Sequence, residues 1–255
     1  MWQGAKVAVV IPAFNEERLI GRTLSGIPSF VDTVYVVDDA SSDQTTAAVV
    51  ASGDARVRTL RHADNRGVGA AIATGYRAAL ADGHAAVAVM AGDNQMHPGD
   101  LSSLVDVVAS GRADYAKGNR FDHPRAHDMP AARRLGGRLL SLLTRWATGL
   151  AVGDTQCGYT VIGADALRVL PLDELWPRYG YPNDLLALLA AHGMRVVEIP
   201  VRPVYAGEAS GVRAWHVLSI GALIGRRWLR TRSSRRGAKT TDFQQDRIAA
   251  ERAAL

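Results

Sequence analysis

Three short apolar runs each end in carboxylates or amides, and those endings hold the residues best equipped for chemistry. Residues 7–11 lead through Pro12 into Asn15-Glu16-Glu17, residues 34–37 into Asp38-Asp39-Ala40-Ser41-Ser42-Asp43, and residues 86–91 into Gly92-Asp93-Asn94-Gln95. Carboxylates in such places accept hydrogen bonds from bases and sugar hydroxyls. The adjacent Asp38 and Asp39 repel each other unless a ligand or a donor occupies the site. Asp93 and Gln95, on alternate residues, offer oxygen donors suited to a hard cation such as Mg2+ or Mn2+, and Gly92 allows close approach. By spacing alone, 92–100 reads equally as an ordinary strand-to-helix loop. Ser42 and Asp43 read as capping residues of a helix start.

The elements that must position these groups alternate along the chain. Strand-like runs fall near 7–11, 33–37, 57–60, 86–90 and 115–117, with helical spacing at 17–25, 45–51, 69–81 and 100–109. Such alternation predicts βαβ units and an α/β fold with a mostly parallel sheet. All the polar endings then lie on one rim, at the carboxyl ends of the strands, where open α/β sheets bind ligands. Helical spacing resumes over 131–148, where Leu135, Leu139, Leu142, Leu143 and Trp146 share a face. A loop at 154–158, a turn at 179–183, a helix over 184–192 and a strand at 196–200 follow. Gly67-x-Gly69 begins like a dinucleotide fingerprint. However, Ile72 stands where the third glycine belongs, and the segment follows the third strand instead of the first. These glycines are expected to permit close helix–sheet packing, with Arg66 a neighbour of a diphosphate.

Size and charge set the outer limits. A chain of 255 residues with 47% hydrophobic and 22% charged residues can form one domain with a substantial core. The net charge of +5 is concentrated: 209–241 contains no Asp or Glu but carries Arg213, Arg226, Arg227, Arg230, Arg232, Arg235, Arg236 and Lys239. That distribution calls for an anionic partner. Within it, 212–230 is amphipathic, with Trp215 and Trp228 near the ends of an apolar side, as in helices lying in a membrane interface. A core helix is the competing reading. The apolar run 217–224 is too short to span a bilayer. One cysteine, Cys157, forms no internal disulfide and points to a reducing compartment. The first strand begins almost at once, so no signal peptide is expected. The protein is therefore expected to be cytoplasmic, peripheral at the inner face of a membrane.

In wording and order, "VIPAFNEE", "VVDDASSDQT", "NRGVGAAIATG" and "MAGDNQMHP" resemble family 2 glycosyltransferases, and 154–159, Asp-Thr-Gln-Cys-Gly-Tyr, resembles the signature of enzymes making dolichyl- or polyprenyl-phosphate hexoses. The resemblance runs from residue 5 to about 206. It implies a GT-A type fold and metal-dependent, inverting transfer of a hexose from a UDP- or GDP-linked sugar to a lipid phosphate. It further implies that Asp39 holds the nucleotide in a pocket with Pro12, Asn15, Glu16, Asp38, Arg66 and Gly92, and that Asp93 and Gln95 hold the metal. Relatives carry Asp-x-Asp at the metal site, whereas here Ala91 replaces the first carboxylate. Arg120, at the end of the strand 115–117, matches an arginine that faces phosphates, a task suited to the guanidinium fork. Asp154 and Gln156 are expected at the acceptor sugar, with Cys157 a small buried residue. Asp184 is expected near the acceptor or, on the bland reading, as an N-cap. If the acceptor were a hydroxyl, Asp184 or Asp154 would be the base; a phosphate needs little deprotonation.

The expected organisation is a catalytic domain over 1–208, a basic amphipathic helix over 209–230 and a loose polar tail over 231–255. No nucleic-acid partner is expected. A saccharide or small soluble acceptor on the same fold, a Rossmann oxidoreductase, and a non-catalytic membrane-associated module are the rival readings.

Overall fold

The computed structural model describes residues 1–204 together with 222, 223, 225 and 226. Continuous apolar runs build the middle of a single sheet: β1 (Val7–Ala13), β2 (Thr33–Asp38) and β4 (Ala86–Val89). Each is covered on both faces, which is why no polar alternation interrupts its sequence. β3 (Val57–Arg61) lies at one edge and is interrupted by polar residues, with Arg58, Thr59 and Arg61 exposed. β5 (Tyr115–Asn119), β6 (Thr160–Gly163) and β7 (Val196–Pro200) complete seven strands in the order β3-β2-β1-β4-β6-β5-β7. All pairings are parallel except those of β6, which runs antiparallel to both β4 and β5.

Helices α1 (Ile20–Ser25), α2 (Thr45–Ala51), α3 (Val68–Ala81), α4 (Leu101–Ala109), α5 (Ala131–Thr148), α6 (Ala164–Val169) and α7 (Tyr181–Ala191) flank the sheet. Strand alternation divides the core in two. Val7, Val9 and Ile11 pack with Ile20 and Leu24 of α1 and with Leu101, Leu104 and Val105 of α4. Ala8 and Val10 pack on the other face with Ile72 and Tyr76 of α3 and Leu185, Leu186 and Leu189 of α7. Gly75 sets the approach of α3 to the sheet, since a Cβ there would lie 2.3 Å from Val10 Cγ1.

Three boundaries differ from the sequence expectation. The helix expected at 17 begins at Ile20, because Glu17 is engaged elsewhere: its carboxylate accepts the Gln44 N–H at 3.0 Å, and its own N–H donates to Asp43 at 3.2 Å. The helix expected at 184 begins at Tyr181, and Pro182 sits in its first turn, where a missing N–H costs nothing. β6 and α6 were not expected at all; four strand residues running straight into six helical ones are too few to show a period. Among the described residues no helix is long and apolar enough to cross a membrane. Apart from four residues, the expected interfacial helix and tail lie outside the described residues.

Candidate active site

The topology gathers the predicted residues. β1 lies between β2 and β4 and all three run parallel, so 12–16, 38–43 and 91–95 emerge at one rim. β5 points the same way and delivers Arg120 there. Antiparallel β6 starts at that rim, which brings the preceding loop 154–158 to it, and Gly118 N donates to Tyr159 O at 2.8 Å. The turns after β1, β2 and β4 each hold a non-glycine residue in the left-handed region: Asn15 (φ 58°), Ala40 (φ 63°) and Asn94 (φ 57°). Alanine gains nothing local from that conformation, so the strain at Ala40 is held by its surroundings, as happens at functional sites.

Those surroundings form a dense polar mesh. Asn15 Oδ1 accepts Ser42 N at 2.9 Å, Asn15 N donates to Ser41 Oγ at 3.0 Å, and Glu16 N donates to Thr45 Oγ1 at 2.7 Å. Asp43 accepts the Thr45 N–H at 3.0 Å and so serves the start of α2, although Gln44 occupies the N-cap place. Asp38 is buried and accepts hydrogen bonds from Ser41 N (2.8 Å) and Thr46 Oγ1 (2.6 Å) and an ion pair from Arg61. Burial pushes its pKa up, but these donors and the Arg61 charge prevail and hold it below the ordinary value. Asp39, 3% exposed, accepts His62 Nδ1 at 2.7 Å, Arg66 N at 2.9 Å and Gly67 N at 2.7 Å. The paired carboxylates are thus separated by internal donors. Asp39 fastens the loop that carries Arg66, whose side chain is exposed.

The glycines of this loop serve a different neighbour from the one expected. A Cβ on Gly67 would lie 2.4 Å from Pro177 O and one on Gly69 2.1 Å from Trp176 O, while Gly69 N donates to Pro177 O at 2.8 Å. They admit the 176–178 loop to the start of α3; helix–sheet packing falls to Gly75 instead. That start is closed by a carbonyl, which removes the dinucleotide reading. At Gly92 a Cβ would meet only ordinary protein contacts, with Glu16 Cγ (3.4 Å), Ile20 Cδ1 (3.4 Å) and Pro12 O (3.5 Å). The same contacts show that Pro12, Glu16 and Gly92 are neighbours.

Asp93 and Gln95 are half-buried in the turn after β4, with Gln95 N donating to Asp93 Oδ1 at 3.1 Å. Among the described residues no group of three His, Cys, Asp or Glu side chains forms a cage. A carboxylate and an amide oxygen nevertheless suit a hard cation that draws its remaining ligands from phosphates and water.

On the acceptor side, Asp154 is fully buried and grips Arg120 at both ends of the guanidinium: Nε to Oδ2 at 2.7 Å, Nη2 to Oδ1 at 3.0 Å, and the Arg120 N–H to Oδ2 at 3.1 Å. Burial raises the pKa of Asp154, but the Arg120 charge and hydrogen bonds, with the Lys117 charge, outweigh it and leave the carboxyl below its ordinary value. A carboxylate so placed does not take up a proton readily. The structure places Asp154 as the buried counter-ion of Arg120.

Gln156 is half-buried; its Nε2 donates to Thr155 Oγ1 at 2.9 Å and to Asn183 Oδ1 at 3.2 Å. Cys157 is buried with its thiol pushed upward by burial, as expected of an inert small residue. Asp184 is 1% exposed and accepts the Trp176 N–H at 2.8 Å. Gly180 occupies the N-cap of α7, so Asp184 is not the cap; it supports the same 176–178 loop that closes on Gly67 and Gly69.

Two residues that position this site escaped the sequence reading. Glu198 accepts Gly153 N (2.7 Å), Asp154 N (2.9 Å) and Asn119 Nδ2 (3.1 Å), clamping the 153–154 loop to β5 and β7. Lys117 is completely buried and donates to Cys157 O. Burial depresses its pKa, with the neighbouring Asp154 opposing. The available signal was a lone charge inside each apolar strand. A cleft of about 570 Å³ opens beside α5, lined by Asn119, Phe121, Asp122, Arg138, Arg145 and Glu198 among others; none of the nucleotide-site residues lines it.

Known proteins resemble this chain in sequence and in fold. The profile of Glycosyl transferase family 2 matches residues 8–144. An undecaprenyl-phosphate mannosyltransferase of Micrococcus luteus is 32% identical over 204 residues, 77% of this chain and 82% of the relative. A UDP-N-acetylglucosamine–dolichyl-phosphate N-acetylglucosaminyltransferase of Methanococcus voltae is 26% identical over 228 residues, 83% of this chain and 90% of the relative. Among solved structures, glucosyl-3-phosphoglycerate synthase of Mycobacterium tuberculosis in complex with Mn2+, UDP and glucosyl-3-phosphoglycerate superposes with a TM-score of 0.65 at 20% identity, over 88% of this chain and 80% of that one.

Proposed function

The chain belongs to glycosyl transferase family 2 and has the GT-A fold; from that premise we propose that it transfers a hexose, with inversion, from a UDP- or GDP-linked sugar to a polyprenyl or dolichyl phosphate at the inner face of a membrane. The observation that carries this reading is the Arg120–Asp154 pair. A fully buried carboxylate holds a part-exposed guanidinium in place at the rim that also presents Asp93. A cation fixed in advance needs no reorganisation when a phosphate arrives, and its planar fork suits phosphate oxygens. The two lipid-phosphate relatives support the choice of acceptor.

In this reading Pro12, Asn15, Glu16, Asp38, Asp39, Arg66 and Gly92 form the nucleotide side. Asp93 and Gln95 would hold Mg2+ or Mn2+, which supplies positive charge toward the departing diphosphate. Arg120 binds the acceptor phosphate and Gln156 borders the sugar. One acceptor phosphate oxygen forms the new bond to the anomeric carbon as the bond to the nucleoside diphosphate breaks. The second pKa of a phosphate monoester is about 6, so at neutral pH the nucleophile is already ionised and needs no base. The burial of Asp184 against Trp176 N accords with that.

The test is transfer by the purified protein from UDP- and GDP-sugars, with Mn2+ or Mg2+, to undecaprenyl phosphate and to phosphoglyceric acid. Asp93→Ala is expected to abolish metal-stimulated transfer while the melting curve is unchanged. Near-normal metal-stimulated activity in that variant would overturn the metal assignment. Transfer to the soluble acceptor alone would overturn the lipid one.

A further inference from the structure

Helix α5 presents its apolar stripe outward. Leu135, Leu139, Leu142, Leu143 and Trp146 fall at i, i+4, i+7, i+8 and i+11, which at about 100° per residue is one face. Their exposures are 74%, 52%, 61%, 40% and 68%. The buried residues of α5, Gly137, Leu140, Ser141 and Thr144, lie on the opposite side. A contiguous apolar stripe of this kind on a soluble surface marks a place of contact.

Charge identifies what it contacts. The helix contains Arg133, Arg134, Arg138 and Arg145 and no Asp or Glu. By the same helical geometry Arg134, Arg138 and Arg145 run along one edge of the stripe. A second copy of this face would set those arginines against their own kind. The chain's own segment 209–241 carries basic residues and no acidic ones, so it offers these arginines no counter-charge. An anionic lipid surface satisfies both features, taking the leucines and Trp146 into its interface and the arginines at its headgroups. We propose that the outer face of α5 is a docking surface for an anionic bilayer.

The inner face of α5 connects this surface to the site. Ser141 Oγ accepts Thr155 N at 3.0 Å, and Thr144 Oγ1 donates to Asn183 Oδ1 at 2.8 Å, the same oxygen that receives Gln156 Nε2. The helix resting on the lipid therefore holds the 154–158 loop directly. The biological meaning of this surface rests on the lipid-acceptor reading, but binding to lipid is measured without turnover.

The experiment uses the full chain in flotation with phosphatidylcholine vesicles, with and without phosphatidylglycerol, across a salt series. Wild type is expected to float only with the anionic lipid and to be released by salt. Leu139→Gln/Leu143→Gln/Trp146→Gln should lower partition at least about tenfold. Arg134→Ser/Arg145→Ser should lower it roughly 25-fold at low salt, about fivefold per arginine. Circular dichroism and melting should be unchanged, since the apolar positions are exposed. Brominated lipid should quench wild type more than Trp146→Phe. Undiminished flotation of both α5 variants, loss confined to substitutions at Arg226, Arg227 and Arg230, or a wild-type dimer that the α5 variants dissolve would each overturn the proposal. If flotation depends on α5 but no sugar reaches lipid phosphate, the surface stands and the acceptor reading falls.

Discussion

Replacing Asp154 by Asn changes no volume and so isolates charge. The side chain has no exposure and accepts hydrogen bonds from Arg120 Nε (2.7 Å), Nη2 (3.0 Å) and N (3.1 Å) and from Gln156 N (3.3 Å). Without the negative charge, the Arg120 guanidinium faces an amide, and the fully buried Lys117 loses its neighbouring counter-charge. Removing one member of a buried ion pair destabilises by about 3–5 kcal/mol. At about 2–4 °C per kcal/mol for a domain near this size, the melting point should fall by roughly 6–20 °C. Thermal and urea unfolding of Asp154→Asn, Arg120→Met and the double variant measure this, and the cycle should show a coupling on the order of 1–3 kcal/mol. The double variant should be more stable than Asp154→Asn alone, because the uncompensated guanidinium is gone. An Asp154→Asn protein melting within about 2 °C of wild type, or strict additivity of the two substitutions, would refute the assignment of Asp154 as the counter-ion of Arg120.

Asp39→Asn turns an amide N–H toward one of the N–H groups of Arg66 and Gly67, so donor affinity by calorimetry should fall together with about 1–3 kcal/mol of stability; unchanged values of both would remove Asp39 from the nucleotide side. Gly75→Ala drives a methyl against Val10 and should lower stability by about 1–3 kcal/mol in urea, whereas Gly92→Ala, which meets only ordinary contacts, should be near neutral. Asp38 and Asp154 have folded-state pKa values below the ordinary one, so their contribution to stability is complete above the unfolded value of about 4 and is lost as pH falls through the lower folded values. Melting points should therefore stay level with respect to these two groups down to about pH 4 and decline below it, with a shallower acid decline in Asp154→Asn.

The sheet was legible because its inner strands are apolar on both faces. Segments such as 7–11 and 33–37 admit few other readings, and polar endings after three parallel strands must share a rim. Residue type showed polar, oxygen-rich strand ends; it was the resemblance to family 2 glycosyltransferases that pointed the carboxylates, the amide and the arginine toward a nucleotide, a hard cation and a phosphate. The sequence could not say that both adjacent aspartates would be met by protein donors, because these come from distant segments: Arg61 for Asp38, and His62, Arg66 and Gly67 for Asp39. Asp154 became a counter-ion only when the antiparallel β6, too short to carry a period, returned its loop to the end of β5. The face shared by Leu135, Leu139, Leu142, Leu143 and Trp146 was equally plain from spacing. Periodicity fixes which side chains lie together on a helix, but only packing decides whether that side turns to the core or, as on α5, to the outside.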